Sequence, residues 1–134
     1  MTSGWDQSLA TGIQIIDEQH KEYFVRVGRL LNLSLEGSRP EDCLEIFDFM
    51  SRYVVLHFGT EEELMDRYAF THQGTHKAQH AWFRDELVKL RTNLERQPGG
   101  SRVALTSLLV DWFRNHISRV DQKLSEFLKA KGVA

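Results

Sequence analysis

The chain has 134 residues, 41% of them hydrophobic, with 17 lysines and arginines against 19 aspartates and glutamates. That length fills one core and not two, and a formal charge of -2 without a basic block excludes nucleic acid and anionic membranes as partners. No stretch reaches the ~18 apolar residues of a membrane span, and Cys43 is the only cysteine, so a single cytoplasmic, monomeric domain over 1–134 is expected, with Cys43 an inert, partly buried thiol.

Residues 1–11 carry no helical period and are read as an N-terminal arm. Apolar residues then recur at spacings of three and four in four segments, which is the period of amphipathic helices, and none shows the strict alternation of a strand. The first stripe is Ile13, Ile16, His20, Phe24, Val27 and Leu31. It runs out at Gly37-Ser38-Arg39-Pro40, where Pro40 suits the first turn of a second helix. That helix carries Ile46, Met50, Tyr53, His57, Glu61 and Leu64 and fades between Tyr68 and Thr71, with Thr71 the candidate cap of the third. The third stripe is His76, His80, Phe83, Leu87, Leu90 and Leu94, closed by the turn Gln97-Pro98-Gly99-Gly100. The last begins near Ser101 and runs through Leu105, Leu109, Trp112 and His116 to about Leu128, before a frayed tail at 131–134. Short connections make sequential helices antiparallel, so the predicted fold is an all-α, up-down-up-down four-helix bundle over 12–130.

Five histidines and two carboxylates occupy or adjoin stripe positions that otherwise carry Ile, Leu and Phe, and polar groups there must be satisfied or bound to something. Residues equally far from a hairpin turn share a height. With residue 38 as the first turn, His20 lies 18 residues before it and His57 19 after, a mismatch of ~1.5 Å at the helical rise. Around the Pro98/Gly99 midpoint, His80 and His116 lie 18.5 and 17.5 residues away, and His76 and Asp121 both 22.5. Glu61 and His80 match to within a couple of residues across the middle turn. His72 falls outside the register and reads as solvated; Glu62 and Glu63 read as surface.

His116 and Asp121 are five residues apart, about 140° around a regular helix. The apolar register slips at the same place: Leu105, Leu109, Trp112 and His116 continue one position later as Ile117, Asp121, Leu124 and Leu128. A π-bulge near 116–121 accounts for both.

Seven such ligands are too many for a structural zinc and too rich in nitrogen for calcium or magnesium. Two octahedral transition ions fit better: five histidines, two bridging carboxylates and one bridging oxide or hydroxide fill all but one of twelve positions. The open position, in apolar surroundings, suits a small uncharged molecule, dioxygen above all. Phe24, Trp112 and Ile117, within a turn of a ligand, are the candidate pocket lining.

Trp5, Gly12-Ile13, Ile16-Asp17, Gln19-His20-Lys21, His57-Phe58-Gly59-Thr60-Glu61-Glu62 with Met65, the His76 to His80 spacing, and Trp112 with His116-Ile117 and Asp121 together resemble the bacterial hemerythrins, a non-haem di-iron oxygen-binding family, over nearly the whole chain. The resemblance implies that His76, His80 and His116 hold one iron and His20 and His57 the other. Glu61 and Asp121 would bridge them beside an oxo or hydroxo group, Glu62 replacing Glu61 only if the second helix is bulged. It implies reversible binding of dioxygen at the five-coordinate iron. The family's Tyr-Pro before the third helix is Phe70-Thr71 here, which touches no ligand.

The expected role is oxygen storage, delivery or sensing, not catalysis. A di-iron oxidase, peroxidase or nitric-oxide-reducing enzyme is the alternative, but helical-bundle oxygenases carry Glu-x-x-His pairs, and this chain has none. A sensor would signal through a separate partner, with a mobile 1–11 arm as its visible device.

Overall fold

The computed structural model describes residues 5–35, 40–96 and 102–134. The expectations for the Cys43 thiol and for the turns at 36–39 and 97–101 fall outside the described residues and side chains. Four helices follow the four stripes: α1 (Gln14–Leu35), α2 (Pro40–Tyr68), α3 (Gln73–Arg96) and α4 (102–130). They form a four-helix bundle in which α1 packs on α2, α2 on α3, and α4 closes back on α1, and no strand occurs among the described residues. Pro40 opens α2, where its missing N–H costs no helical hydrogen bond. Thr71 is not the residue before α3, which starts at Gln73 after a turn at Phe70.

The stripes bury two apolar clusters. The larger contains Tyr23, Val27, Met50, Phe58, Phe83, Leu109 and Phe113; the smaller contains Ile13, Ile16, Met65, Phe70, Leu124 and Leu128. His20 lies between the Ile16 and Tyr23 of these clusters along α1, and Glu61 between Phe58 and Met65 along α2. The polar slab thus has an apolar cluster on either side.

α4 is not a uniform α-helix. It reads α at Arg102–Thr106, π at Ser107–Trp112, α at Phe113–His116, π at Ile117–Asp121 and α again at Gln122–Ala130. The second π segment is the one anticipated from the register slip; the first has no counterpart in the sequence reading. The buried Tyr23 hydroxyl, on α1, donates to the Leu109 carbonyl within that first segment at 2.7 Å.

Two expectations of loose ends are corrected. The arm is pinned across its described part: Leu9 is buried, Gln122 donates to the Ala10 carbonyl, and Arg114 pairs with Asp6. Asp17 accepts from the Thr11 amide and hydroxyl and from the Gly12 amide. Nor is the C-terminal tail frayed, because Gly132 (φ 86°) ends α4 with its own amide on the Lys129 carbonyl and that of Val133 on Leu128, the paired bonds of a Schellman cap.

α2 ends in the same bonds, Ala69 to Asp66 and Phe70 to Met65, but with Ala69 at φ 54° where glycine is usual. Left-handed backbone costs an L-residue roughly 1–2 kcal/mol, and glycine gives back roughly 0.4–1 kcal/mol through its freer unfolded chain. Ala69→Gly is therefore expected to stabilise the protein by about 0.5–1 kcal/mol, read as a higher denaturation midpoint at unchanged slope. A midpoint that stays put or falls contradicts the strain.

Candidate metal centre

α1 contributes His20; α2 His57 and Glu61; α3 His76 and His80; α4 His116 and Asp121. All seven side chains are buried and meet in one slab, as the turn distances require. His72 is exposed and does not join them. The π turn sets the last pair: the Gln122 amide reaches the Ile117 carbonyl five residues back, and a turn of that width brings residues five apart onto one face. His116 Nε2 lies 3.2 Å from Asp121 Oδ1.

The two carboxylates each divide their oxygens between two sets of histidines. Glu61 turns Oε2 to His20 and His57, at 3.7 and 3.4 Å, and Oε1 to His76 and His80, at 3.4 and 3.1 Å. Asp121 turns Oδ2 to His20 at 3.0 Å, and Oδ1 to His76 and His116 at 3.0 and 3.2 Å. Two overlapping groups result, one of Glu61, His76, His80, His116 and Asp121, the other of His20, His57, Glu61 and Asp121, with ligand atoms in each within 4.8 Å of one another. The carboxylates belong to both.

Nε2 of all five histidines and every oxygen of both carboxylates are buried without a hydrogen-bond partner. Such orphans are costly unless something binds them, and this nitrogen and oxygen donor set fits two borderline transition ions. Without metal, protons take part of that place. Burial opposes charge on His20 and His76, but the adjacent Asp121 and Glu61 carboxylates outweigh it and lift both histidines to about 9. Burial likewise works to raise Glu61 and Asp121, yet the surrounding histidines hold both carboxyls well below the carboxylate range. Burial pushes His57 down.

Three histidines are oriented from behind. Gln19 Oε1 accepts from His57 Nδ1 at 2.8 Å, and its amide donates to Thr60 Oγ1, which donates to the Leu56 carbonyl. Gln79 Oε1 accepts from His116 Nδ1 at 2.9 Å, and Glu62 Oε2 accepts from His80 Nδ1 at 2.8 Å. An amide oxygen or carboxylate can only accept, so Nδ1 carries the proton and Nε2 presents its lone pair to the centre. The expectation that Glu62 is mere surface is corrected: it is partly buried, against His80 and 3.8 Å from Arg84.

Rings complete the wall. Phe58 stacks on His80 at 3.8 Å and Trp112 on His116 at 4.8 Å. Phe113 lies 6.0 to 6.3 Å from His20, His57 and His116. Ile117 is fully buried beside His116, whereas Phe24 packs on Tyr23 and Phe113. Gln19, Glu62, Gln79, Phe58 and Phe113 were missed as site residues. A sign was available for four of them, since Gln19, Phe58, Glu62 and Gln79 each adjoin a ligand in sequence.

The family profile described as "Hemerythrin HHE cation binding domain" matches residues 11–128. The chain belongs to the hemerythrin family. It is 31% identical to a bacteriohemerythrin of Methylococcus capsulatus over 126 residues, covering 91% of this chain and 92% of that one. It is 29% identical to a hemerythrin-like protein of Naegleria gruberi, over 89% of this chain and 87% of the relative. Among solved structures, a hemerythrin point mutant superposes with a TM-score of 0.86 at 26% identity, over 96% of this chain and 98% of the other. A wild-type hemerythrin gives 0.80 at 27%, over 88% and 90%.

Two outcomes follow for this hemerythrin-family centre. Glu62→Gln keeps an acceptor for His80 but removes its charge, and is expected to weaken metal retention by about 10–100-fold, measured by competition with a chelator; unchanged retention would exclude the role. His20 and His76 are protonated below about 9, so metal uptake at neutral pH must expel protons. The yield, followed with an indicator dye, should fall as pH rises through 9, and a yield independent of pH there would contradict the assignment.

Proposed function

We propose that this chain binds dioxygen reversibly at a non-haem di-iron centre. The observation that carries the reading is the division of each carboxylate between two sets of histidines. In this assignment His76, His80 and His116 would hold one iron, His20 and His57 the other, and Glu61 and Asp121 would bridge them beside an oxo or hydroxo group. Three histidines on one side and two on the other leave one metal a ligand short, which is where a diatomic molecule would bind. Iron held there would supply the electrons for dioxygen binding; the chain supplies the enclosure.

That enclosure decides whether binding is reversible. Water and protons near the bound molecule would let it leave reduced, and exclusion of both is what a dry site achieves. Phe58, Phe113, Ile117 and the two apolar clusters line the centre with carbon. Glu61 and Asp121 are the only fully buried acids among the described residues, and no glutamate stands in the Glu-x-x-His arrangement of helical-bundle oxygenases, which favours binding over catalysis. A lone cysteine fits the reducing cytoplasm as the place of action, and no helix among the described residues is long and apolar enough to cross a membrane.

The decisive experiment follows the visible spectrum of the iron-loaded, reduced protein as oxygen is admitted and withdrawn. A band that rises with oxygen and vanishes on its removal is expected; a one-way change to the ferric spectrum would show oxygen consumption and put an enzyme in place of a carrier. Ile117→Ala opens the wall beside His116 and should speed accumulation of the oxidised form in air. Equal rates in parent and variant would remove Ile117 from the lining.

A further inference from the structure

The rings around the centre form two stacks with different destinations. Phe58 lies face to face with His80 and, at 6.1 Å and 5°, with Phe113, which stacks on Tyr23 at 4.0 Å. All of these are fully buried, so this stack ends inside the core. The other leads out: Trp112 covers His116 with ring centroids 4.8 Å apart and planes 11° from parallel, and Trp82 covers Trp112 at 5.6 Å and 28°. Trp82 is 48% exposed. Phe83 lies against Trp112 at 4.6 Å and 21°, holding its plane. His76 also approaches a ring, Phe70, but at 6.4 Å and 75°, and the next step to Phe127 is tilted by 58°.

We propose that Trp82 and Trp112 form the route by which electrons enter the metal centre from a one-electron carrier that docks transiently over Trp82. Tunnelling decays steeply across gaps and is carried by overlapping π orbitals, and offset face-to-face rings supply that overlap. Two stacked steps join solvent to the ring of a candidate iron ligand, and no other described histidine has a near-parallel ring path to the surface. The inference rests on the di-iron reading above and adds a function to it: recovery of protein whose iron has become ferric. Each transfer oxidises the carrier by one electron and reduces one ferric ion; two transfers, with one proton taken up by the bridging oxide, restore the diferrous form. A small encounter surface around one exposed ring suits a redox partner that must leave after each electron, and such contacts are among the smallest protein interfaces.

The test injects electrons from fixed points into the iron-loaded, oxidised protein without oxygen. In a Cys43→Ser background, a ruthenium photosensitiser is attached through Asp85→Cys, one turn from Trp82, or through Leu56→Cys, exposed and next to His57 of the other ligand group. Flash reduction is followed by bleaching of the ferric absorption. Trp82→Leu is expected to slow reduction from position 85 by about tenfold, equivalent to ~1.4 kcal/mol in activation free energy, and to leave the rate from position 56 unchanged. Trp82→Phe keeps a ring over Trp112 and should retain most of the rate. Iron content and midpoint potential should match the parent throughout, since Trp82 touches no ligand. An unchanged rate from position 85, or equal slowing from both positions, would overturn the proposal. Because oxygen is absent, failure of reversible oxygen binding with this rate pattern intact would count against the carrier reading alone.

Discussion

Five imidazole nitrogens and four carboxylate oxygens face one another inside hydrocarbon without a hydrogen bond among them. Their charge must be answered by something, and everything else in the bundle is arranged around that demand. In the metal-free chain the answer is protonic, with His20 and His76 held charged beside Glu61 and Asp121. Two metal ions would answer it better, taking every lone pair at once. Four helices are needed because ligands from one helix cannot surround two ions, and apolar clusters flank the site on both sides.

The π turns of α4 are part of the same arrangement. A regular helix would turn Asp121 well off the face of His116, so the wide turn at Ile117–Asp121 is the local cost of bringing a carboxylate between two sets of histidines. The first π segment, at Ser107–Trp112, is stitched to α1 by Tyr23. It carries Trp112 to the ring of His116 and so connects backbone irregularity to the outward stack.

Much of this was legible in the sequence. The apolar period specified four helices, distances from turns placed seven polar side chains at matching heights, and the slip between His116 and Ile117 disclosed the π turn. What escaped has physical reasons. Glu62 sits in a run of three glutamates, a pattern that ordinarily means solvent, and only the partner on α3 separates it from Glu63. Gln19 and Gln79 lie one residue off the stripe, where period alone calls for surface, and their amides act across helices, which a pattern along one helix does not register. The arm seemed loose because it has no period, yet side-chain bonds to Asp6, Ala10 and Asp17 hold it without one. The capped end at Gly132 was taken for fraying because a single apolar residue, Val133, is its only further sign.

The three orienting bonds share a direction. Gln19 on α1 steadies the histidine of α2, Glu62 on α2 steadies one on α3, and Gln79 on α3 steadies the one on α4. Each orienting residue is itself the sequence neighbour of a ligand, so every helix is measured against the next by a bond only 2.8 to 2.9 Å long. A slip of one residue moves a helix by ~1.5 Å along its axis, enough to break such a bond while leaving greasy side chains still in contact. Hydrocarbon alone would tolerate several alignments of these four rods. The hydrogen bonds act as a vernier, admitting one alignment, so that the features which tune the chemistry also make the fold a single structure.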